Sequence, residues 1–314
     1  MGDMNQISDK QSTTRLVILA LFCCLLWGSA PVLIKLGYEA FSIHETPSIL
    51  LFAGFRFMLA GVFVLLFFIS KKKNRDQLHF TGETSEAIIW LALFQTFGQY
   101  FFYYIGVSNS TGVSASILSG ASCFFALVLA SCIYQIEKMS AVKVISCILG
   151  FLGILVMNLN GFQFSFSFQG EGMLLLSQIC SAESAVLIKL FSKKENTVFL
   201  SGAQFLLGGL MLSALGWVMG GSLIFSKTGL FILLALSFVS AGAYTIWGIL
   251  LSHYPVSQVG IFTCTIPLFG VLFSILVLHE FDAVNIQTLF SLILIVSGII
   301  LLNRPTRSKK QKGT

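Results

Sequence analysis

Six long stretches of this chain contain no Asp, Glu, Lys or Arg, and they limit its possible folds more than any other feature. They cover residues 16–34, 87–136, 144–170, 196–226, 228–279 and 283–303. A hydrocarbon core about 30 Å thick is crossed by about 20 apolar residues of helix, so each stretch can hold one or two crossings. Backbone groups in lipid must be satisfied within their own segment, which favours helices. Barrel strands would alternate in polarity. We therefore predict an all-α polytopic membrane protein.

The composition excludes a soluble globular protein. Hydrophobic residues make up 56% of the chain and charged residues 10%, whereas a soluble domain carries about 25% charged residues. The 7 cysteines lie within or beside the apolar stretches, and no CxxC spacing occurs. We interpret these cysteines as small packing residues rather than as a disulfide framework.

Turn-forming and charged residues divide the apolar stretches into ten predicted transmembrane helices. The breaks include "HETP" at 44–47, "KKKNRDQ" at 71–77 and "SKKENT" at 192–197, and such residues disfavour a membrane helix. In chain order, the helices are predicted at residues 15–36, 48–70, 87–107, 112–134, 141–158, 169–191, 199–220, 228–250, 256–278 and 284–303.

The distribution of Lys and Arg predicts the orientation. With the N-terminus inside, sixteen of the 19 basic residues lie on the inner side, and the exceptions are Lys35, Lys227 and Arg56. Basic residues of short loops concentrate on the cytoplasmic side. Both termini are therefore predicted to be cytoplasmic, in the cell membrane. The basic tail after residue 303 would face anionic lipid, so the net charge of +6 requires no nucleic-acid partner.

Weak sequence matches in a common order indicate an internal duplication. "VLIKL" occurs at 32–36 and again at 186–190, an offset of 154 that also places Gly54 on Gly208. Further along, "GVS" at 112–114 matches "PVS" at 255–257, and Glu137 matches Glu280. Because each half would hold an odd number of helices, the second must be inverted relative to the first. We predict five-helix repeats at residues 1–158 and 159–314.

At these residues the chain resembles a known family. "LLWGSAPVLIKLG" in helix 1, the arginine of "GFRFMLAG" in helix 2 and the acidic turns after helices 4 and 9 resemble the drug/metabolite transporter superfamily, in particular its ten-helix EamA-type exporters. The resemblance implies secondary transport of small metabolites through a cavity between the repeats, lined by helices 1, 3, 4, 6, 8 and 9. One departure is Phe124, where the first repeat usually carries a proline matching Pro267; helix 4 is therefore expected to be straighter.

Helix 1 supplies the first candidate binding residues, Trp27 and Ser29. They flank Gly28 and precede Pro31, a combination that predicts a kink because proline removes a backbone hydrogen bond. Kinks near the midplane expose carbonyl groups that can bind cargo. A kink that serves helix packing alone, with Trp27 against a neighbouring helix, remains the alternative.

Two charged residues lie within the predicted helices. Glu183 of helix 6 lies about 20 Å into its span at 1.5 Å per residue, where a carboxylate must be paired, protonated or hydrated. We hypothesise that Glu183 binds a cationic group of the cargo or carries a coupling proton. The alternative is a structural pair with Arg56 of helix 2, and a structural role is the favoured interpretation of Arg56.

The remaining candidates are polar and aromatic residues of helices 3, 8 and 9. Gln95, Gln99 and Tyr103 recur every fourth residue, which places them on one helix face. This face is predicted to turn towards a cavity, although Tyr103 could also belong to the outer aromatic belt. Tyr244 and Trp247 of helix 8 and Thr263 of helix 9 complete the set. Aromatic walls with few charges suit an amphiphilic organic solute better than phosphate.

These features predict a secondary transporter that exports small amphiphilic metabolites, such as amino acids or organic cations, by alternating access. No GxxxxGK[ST] loop and no metal-binding spacing occurs, so neither a cofactor nor a metal is expected. A polytopic membrane enzyme, such as a lipid-modifying transferase, and a passive facilitator or channel remain alternatives. Proton coupling and the choice between monomer and homodimer stay open.

The predicted topology can be tested by tagging. Because the basic residues favour an inner location for both ends, a reporter fused to either terminus should lie in the cytoplasm. A pair of fusions, each with a reporter active only in the cytoplasm and one active only outside, measures this. Termini on opposite sides would contradict an even number of crossings and with it the inverted repeat.

Overall fold

A computed structural model describes residues 2–72, 80–110, 115, 118–159, 166–278 and 286–303, and their regular secondary structure is helical throughout. Ten helices can be followed in this part of the chain, numbered here in chain order. The first five are α1 (Gly2–Ala40), α2 (Thr46–Ser70), α3 (Gly82–Leu91, the π-helical Ala92–Gly98 and Gln99–Ser108), α4 (Ser122–Val128 and the π-helical Leu129–Ile133) and α5 (Ala141–Met157).

The second five helices have interruptions at different places from the first five. They are α6 (the π-helical Phe168–Gly172 and Met173–Phe191), α7 (Thr197–Val218), α8 (Lys227–His253), α9 (Val256–Gly260, the 3-10 turn Ile261–Thr265 and Ile266–Leu278) and α10 (Ile286–Leu302). Most boundaries agree with the predicted helices to within a few residues, but α1 begins at Gly2 instead of residue 15 and α4 begins at Ser122 instead of residue 112. The GVS segment at 112–114, Glu280 and the basic tail after 303 lie outside the described residues.

Length and apolarity identify the protein as a multi-pass membrane protein. Six described segments are long and apolar enough to cross a bilayer: Thr13–Ala40, Thr46–Ser70, Phe168–Phe191, Thr197–Val218, Lys227–His253 and Val256–Val277. Shorter apolar helices cover Ser122–Ile133, Ala141–Met157 and Ile286–Leu302. Large apolar side chains such as Phe67, Trp217 and Phe231 are exposed on the outside of the bundle, where lipid rather than water would solvate them. The predicted all-α membrane fold is confirmed.

Helix ends lie where the sequence provides caps. The Asn196 side chain accepts hydrogen bonds from the backbone N–H groups of Val198 and Phe199 at the start of α7. Ser226 accepts one from Gly229 at the start of α8, and Ser140 caps α5. These side chains satisfy donors that have no partner within the helix. The polar breaks in the sequence therefore fix the ends of the helices locally.

Two expectations about helix shape can be compared with the structure. α1 stays helical through Pro31 from Gly2 to Ala40, and the kink within it stays a prediction. α4, which lacks the proline, is not the more regular helix: Gly120 and Ala121 form a turn before it, and its last turn is π-helical. A π turn widens the i→i+4 ladder without any proline, so proline content alone did not predict regularity.

α2 and α7 form the most extensive helix–helix contact among the described residues, and the two helices run antiparallel. Leu51 lies against Gly216 at one end of the pair, and Leu65 lies against Gly202 at the other. In the middle, a Cβ atom on Gly209 would lie 2.8 Å from the Gly54 carbonyl oxygen, and one on Gly54 would lie 2.8 Å from the Gly209 carbonyl oxygen. Small residues permit such backbone approach between membrane helices, where lipid provides no hydrophobic driving force. α5 and α10 form a second such pair.

The pairings of α1 with helices of the second half correspond to those of α6 with helices of the first half. α1 packs against α8 and α9, and α6 packs correspondingly against α3 and α4. The largest buried apolar cluster joins α1, α3, α4, α6, α8 and α9 and includes residues of α5, α7 and α10. Cys23, Cys24 and Cys264 lie in it as free thiols, which agrees with their predicted packing role.

The glycine contact between α2 and α7 predicts a sensitive position. Gly209→Ala would place its methyl group 2.6 Å from the Met58 backbone nitrogen, so the helices must separate at a cost of about 1–3 kcal/mol. Thermal unfolding of purified protein should show a lowered midpoint. Gly260→Ala in α9 is the matched control, because nothing lies within 4 Å of the added atom. Equal stability of the two variants would contradict the close packing.

Candidate substrate-binding site

Trp27 of α1 and two aromatic residues of α8 meet in the interior of the bundle. The Trp27 ring centroid lies 4.9 Å from that of Tyr244 and 4.9 Å from that of Trp247, in edge-on geometry. Tyr244 and Trp247 are buried, and the Trp27 indole Nε1 is buried without a hydrogen-bond partner. Three of the predicted binding residues are therefore brought together by helices from the two halves of the sequence.

Residues of α2, α3 and α7 extend this group into a continuous cluster. The hydroxyl groups of Tyr100 and Tyr244 lie 2.6 Å apart and share a hydrogen bond. The Phe57 ring lies 4.5 Å from that of Tyr100, and the Phe205 ring lies 5.2 Å from that of Tyr244. We call Trp27, Phe57, Tyr100, Phe205, Tyr244 and Trp247 the aromatic cluster. It is apolar in its rings and polar at the indole nitrogens and tyrosine hydroxyls.

Arg56 of α2 borders the aromatic cluster. Its side chain is 2% exposed, its Nε donates a hydrogen bond to Ser240 Oγ at 2.8 Å, and its Cζ lies 5.0 Å from the Phe57 ring centroid. Ser240 lies one turn before Tyr244 on α8, which places the guanidinium beside the tyrosine pair. The described ion pairs are Lys143–Glu137 and Lys194–Glu83. Within the described residues, then, no carboxylate pairs with Arg56.

Glu183 lies apart from the aromatic cluster and does not pair with Arg56. Its Oε1 accepts a hydrogen bond from the Tyr134 hydroxyl at the end of α4. Tyr134 follows the last turn of α4, at the end of the bundle that holds the N-terminus. The proposed Arg56–Glu183 pair is therefore wrong, because Glu183 extends towards the N-terminal end of the bundle and Arg56 towards α8.

The predicted polar face of α3 is rearranged by its π-helical segment. Residues 92–98 follow a wider turn than an α-helix, so the every-fourth-residue rule fails across them. Gln95 is buried, Gln99 lies beside the Tyr244 hydroxyl and Tyr103 packs on Tyr104 with centroids 5.7 Å apart. Tyr100, which was not among the predicted residues, is the α3 residue that belongs to the aromatic cluster. Sequence analysis missed Tyr100, and its signal was its place among the polar residues of "QTFGQYFFYY".

Ser29 and Thr263 use their hydroxyl groups within their own helices. Ser29 Oγ donates to the Leu26 carbonyl at 2.7 Å, and Thr263 Oγ1 donates to the Gly260 carbonyl at 2.7 Å. Neither side chain hydrogen-bonds to the aromatic cluster. Beside Ser29, Gly28 allows α1 to approach the backbone of α9 at Phe269 and Gly270. This agrees with the packing alternative for that part of helix 1.

The two halves of the sequence are tied together at the N-terminal end of the bundle. Glu137, after α4, accepts hydrogen bonds from Ser257 Oγ at 2.5 Å and from the Ser257 backbone N–H at 3.3 Å. Lys143 Nζ lies 2.7 Å from the same carboxylate. We call Glu137, Lys143 and Ser257 the latch. It joins α4 and α5 to the first turn of α9, whose N-terminal dipole favours a carboxylate.

Two further contacts close the same end. The Lys189 ammonium group of α6 donates to the backbone carbonyls of Ser252 at 3.1 Å and Tyr254 at 3.0 Å. Thr84 Oγ1 of α3 donates to Glu195 at 2.7 Å. Together with the latch, these contacts hold α3, α4, α6, α8 and α9 together at this end.

A separate cavity of about 910 Å³ lies between α1, α9 and α10. Its walls are almost entirely apolar and include Leu21, Phe269 and Leu292. Several lining residues, such as Leu289 and Ile300, are exposed on the outside of the bundle. The cavity therefore opens towards lipid and does not include the aromatic cluster.

The apolar helices define a polytopic membrane protein whose interior holds the aromatic cluster. Comparison with known proteins gives the family. The chain matches the EamA-like transporter family twice, over residues 14–159 and 168–304, and it belongs to that family.

Relatives and a solved structure agree with this assignment. The chain is 30% identical to uncharacterized transporter YvbV of Bacillus subtilis (strain 168) over 96% of its own length and 94% of the relative. It is 24% identical to uncharacterized transporter YoaV of the same organism over 88% of its length and 92% of the relative. A solved crystal structure with 17% sequence identity matches the fold with a TM-score of 0.74, covering 92% of this chain and 97% of that one.

The hydrogen bond between Tyr100 and Tyr244 predicts a specific mutational pattern. Tyr100→Phe and Tyr244→Phe each leave the other hydroxyl without its partner, so each should lower stability by about 0.5–2 kcal/mol. The double variant should lose less than the sum of the two, since neither hydroxyl then remains. Thermal unfolding of the four proteins measures this coupling. Strictly additive losses would show that the hydroxyl groups do not interact.

Proposed function

We propose that this protein exports small amphiphilic metabolites, such as amino acids or organic cations, across the cytoplasmic membrane as a secondary transporter. The observation that carries the proposal is the aromatic cluster, with the Arg56 guanidinium at its edge, buried where helices of both halves meet. Aromatic rings bind the apolar part of an amphiphile, and the few polar atoms orient it. Family membership supports transport as the general activity.

The proposed mechanism is alternating access by two inverted five-helix repeats, residues 1–158 and 159–314. The antiparallel packing of α2 on α7, helices that would be equivalent in the two repeats, supports this division. α1 packs against α8, and α6, its counterpart in the second repeat, packs against α3, the counterpart of α8. This correspondence supports the division as well. The aromatic cluster receives Trp27 from one repeat and Tyr244 from the other, so rocking of the repeats would rearrange it.

With both termini cytoplasmic, the latch would close the cytoplasmic side in this conformation. Opening to the cytoplasm would then require Ser257 to leave Glu137 and Lys189 to release the carbonyl groups of Ser252 and Tyr254 at the end of α8. Glu183, held by Tyr134 between these contacts and the aromatic cluster, is the proposed carrier of a coupling proton. A carboxylate is costly within the membrane unless it is paired or protonated, which suits it to proton binding.

Transport by purified protein in liposomes tests the proposal. Labelled amino acids and cationic drugs are supplied at two pH values, with and without an imposed proton gradient. Uptake of at least one class above that of empty liposomes is the expected result. Equal rates with and without the gradient would indicate a passive facilitator, and no flux of any probe would contradict the proposed function.

Glu183→Gln tests the proton-coupling step. The amide keeps the shape and the hydrogen bond from Tyr134 but cannot carry a titrating proton, so transport should lose its pH dependence. Tyr134→Phe is the companion variant, because it removes the hydrogen bond and keeps the carboxylate. Full transport with unchanged pH dependence in Glu183→Gln would remove Glu183 from the mechanism.

Disrupting the latch should open the N-terminal end of the bundle. Glu137→Gln removes the charge that holds Lys143 and the start of α9, so buried Cys123 and Cys264 should react several-fold faster with a small maleimide. The measurement uses a Cys132→Ser background, because Cys132 is the exposed thiol. Glu83→Gln, which breaks the exposed pair with Lys194 at the same end, should leave the rate unchanged. Equal rates in both variants would contradict a closing role for the latch.

A further inference from the structure

The Arg56 guanidinium is a buried cation whose charge is not neutralised by any carboxylate among the described residues. Its Nε donates a hydrogen bond to Ser240 Oγ, and its side chain is 2% exposed. Removing such a charge from water costs several kcal/mol unless a partner compensates for it. Counting from Thr46 at 1.5 Å per residue, Arg56 lies about 15 Å into α2, near the middle of the bilayer. A snorkelling route to the headgroups is therefore long.

The polar side chains near Arg56 are neutral, and one of them has a donor without a partner. The Trp27 indole N–H is buried and lacks a partner, and indole nitrogen can only donate. The Tyr100 and Tyr244 hydroxyls share one hydrogen bond, and Gln99 lies beside the Tyr244 hydroxyl. Among the described residues, the aromatic cluster beside Arg56 therefore holds one unpaired donor, the Trp27 indole N–H, and no anion.

We propose that Arg56 and the Trp27 indole N–H form a carboxylate-binding subsite. The guanidinium binds the carboxylate of the cargo, the indole N–H donates to it, and the aromatic cluster holds the apolar body of the same molecule. The cargo class is therefore an amphiphilic carboxylic acid, with or without an amino group. This inference rests on the proposed function and narrows its substrate class.

A carboxylate fits the subsite better than a phosphate group. A single guanidinium matches the single negative charge and planar, two-oxygen geometry of a carboxylate. A phosphate carries more charge and is usually held by several cations. Among the described residues, Arg56 is the one basic side chain placed beside the aromatic cluster. The neighbouring rings add apolar contact area, which favours a carboxylate attached to a hydrophobic body.

Contacts of α1 and α2 with α8 bring Trp27 and Arg56 to neighbouring turns of α8. Arg56 bonds to Ser240 of α8, and Tyr244, one turn further along α8, contacts the Trp27 ring. One helical turn is about 5.4 Å, so a carboxylate between α1, α2 and α8 can reach both groups after a small adjustment of side chains. The subsite therefore joins α1 and α2 to α8.

Three small probes separate the carboxylate from the rest of the cargo. Phenylalanine carries a carboxylate and an amine, 3-phenylpropionate carries only the carboxylate, and phenethylamine carries only the amine. Binding to the full-length protein in lipid nanodiscs is measured by thermal shift and by tryptophan fluorescence. Flux of the same probes is measured in liposomes. The aromatic ring is constant, so differences report on the charged groups.

Arg56→Gln should weaken binding of both carboxylate probes by about 10- to 100-fold and leave phenethylamine unchanged, as expected for the loss of a charged hydrogen bond. Arg56→Lys should recover part of the loss, because it restores the charge without the bidentate geometry. Trp27→Phe keeps an aromatic ring and removes the N–H, so it should weaken the carboxylate probes by about 3- to 10-fold. Lys35→Gln, an exposed cation on α1, is the charge-matched control and should bind all three probes as the unmodified protein does.

The outcomes distinguish the subsite from the proposed function. Carboxylate binding that depends on Arg56 and Trp27 but produces no flux would support the subsite and contradict the transporter proposal. Flux of the probes that is equally strong in Arg56→Gln would support transport and overturn the subsite. Neither binding nor flux of the carboxylate probes by the unmodified protein would overturn the subsite, and absence of flux of phenethylamine as well would contradict the transporter proposal. Where Arg56→Gln does not fold, Trp27→Phe alone decides. If this variant binds all three probes with the affinity of the unmodified protein, the subsite is contradicted.

Discussion

Lipid offers no hydrogen bonds, and this constraint explains both the architecture and the location of its polar groups. Every described crossing is a helix, because only a helix satisfies its backbone within one segment. Side chains are subject to the same requirement. Thr96 donates to Gln204 between α3 and α7, and Tyr100 shares a hydrogen bond with Tyr244. The Trp27 N–H is one of several buried polar atoms without a hydrogen-bond partner among the described residues, and the Gln204 amide nitrogen is another. Arg56 differs from these neutral groups because it is a buried cation without a carboxylate partner among the described residues. A buried charge within a membrane is expected at a functional site.

The two halves share their helix pairings but differ in chemistry. In the antiparallel contact of α2 with α7, Gly54 lies against Ser213 and Met58 lies against Gly209. The offset of 154 that places Gly54 on Gly208 places Arg56 on Leu210, so the corresponding position of the second half is apolar. In the proposed duplication, the packing of the helix pair is kept while one copy carries the charge.

Much of the fold could be predicted from the sequence, because apolar runs and capping residues act locally. Asn196 and Ser226 end the polar breaks and begin helices where expected. Trp27, Tyr244 and Trp247 were each named from the sequence as candidate binding residues, but their contact with one another was not predicted. The partners of charged residues could not be predicted in this way. Glu183 bonds to Tyr134 and Arg56 to Ser240, and such choices depend on helix rotation and depth, which the π-helical segment of α3 also changes without a strong sequence signal.

α8 connects the aromatic cluster to the N-terminal end of the bundle, and this connection limits how the proposed transport cycle can operate. Its middle carries Ser240, Tyr244 and Trp247, and its last residues provide the Ser252 carbonyl that binds Lys189. α9 begins at Val256, only a few residues later, with Ser257 bound to Glu137. A separation of α9 from α4 at the latch must therefore move the end of α8 or bend the short connection between them. A rigid α8 would carry Tyr244 with it and break its hydrogen bond to Tyr100. Release at the latch and rearrangement of the aromatic cluster are then two consequences of one helix movement.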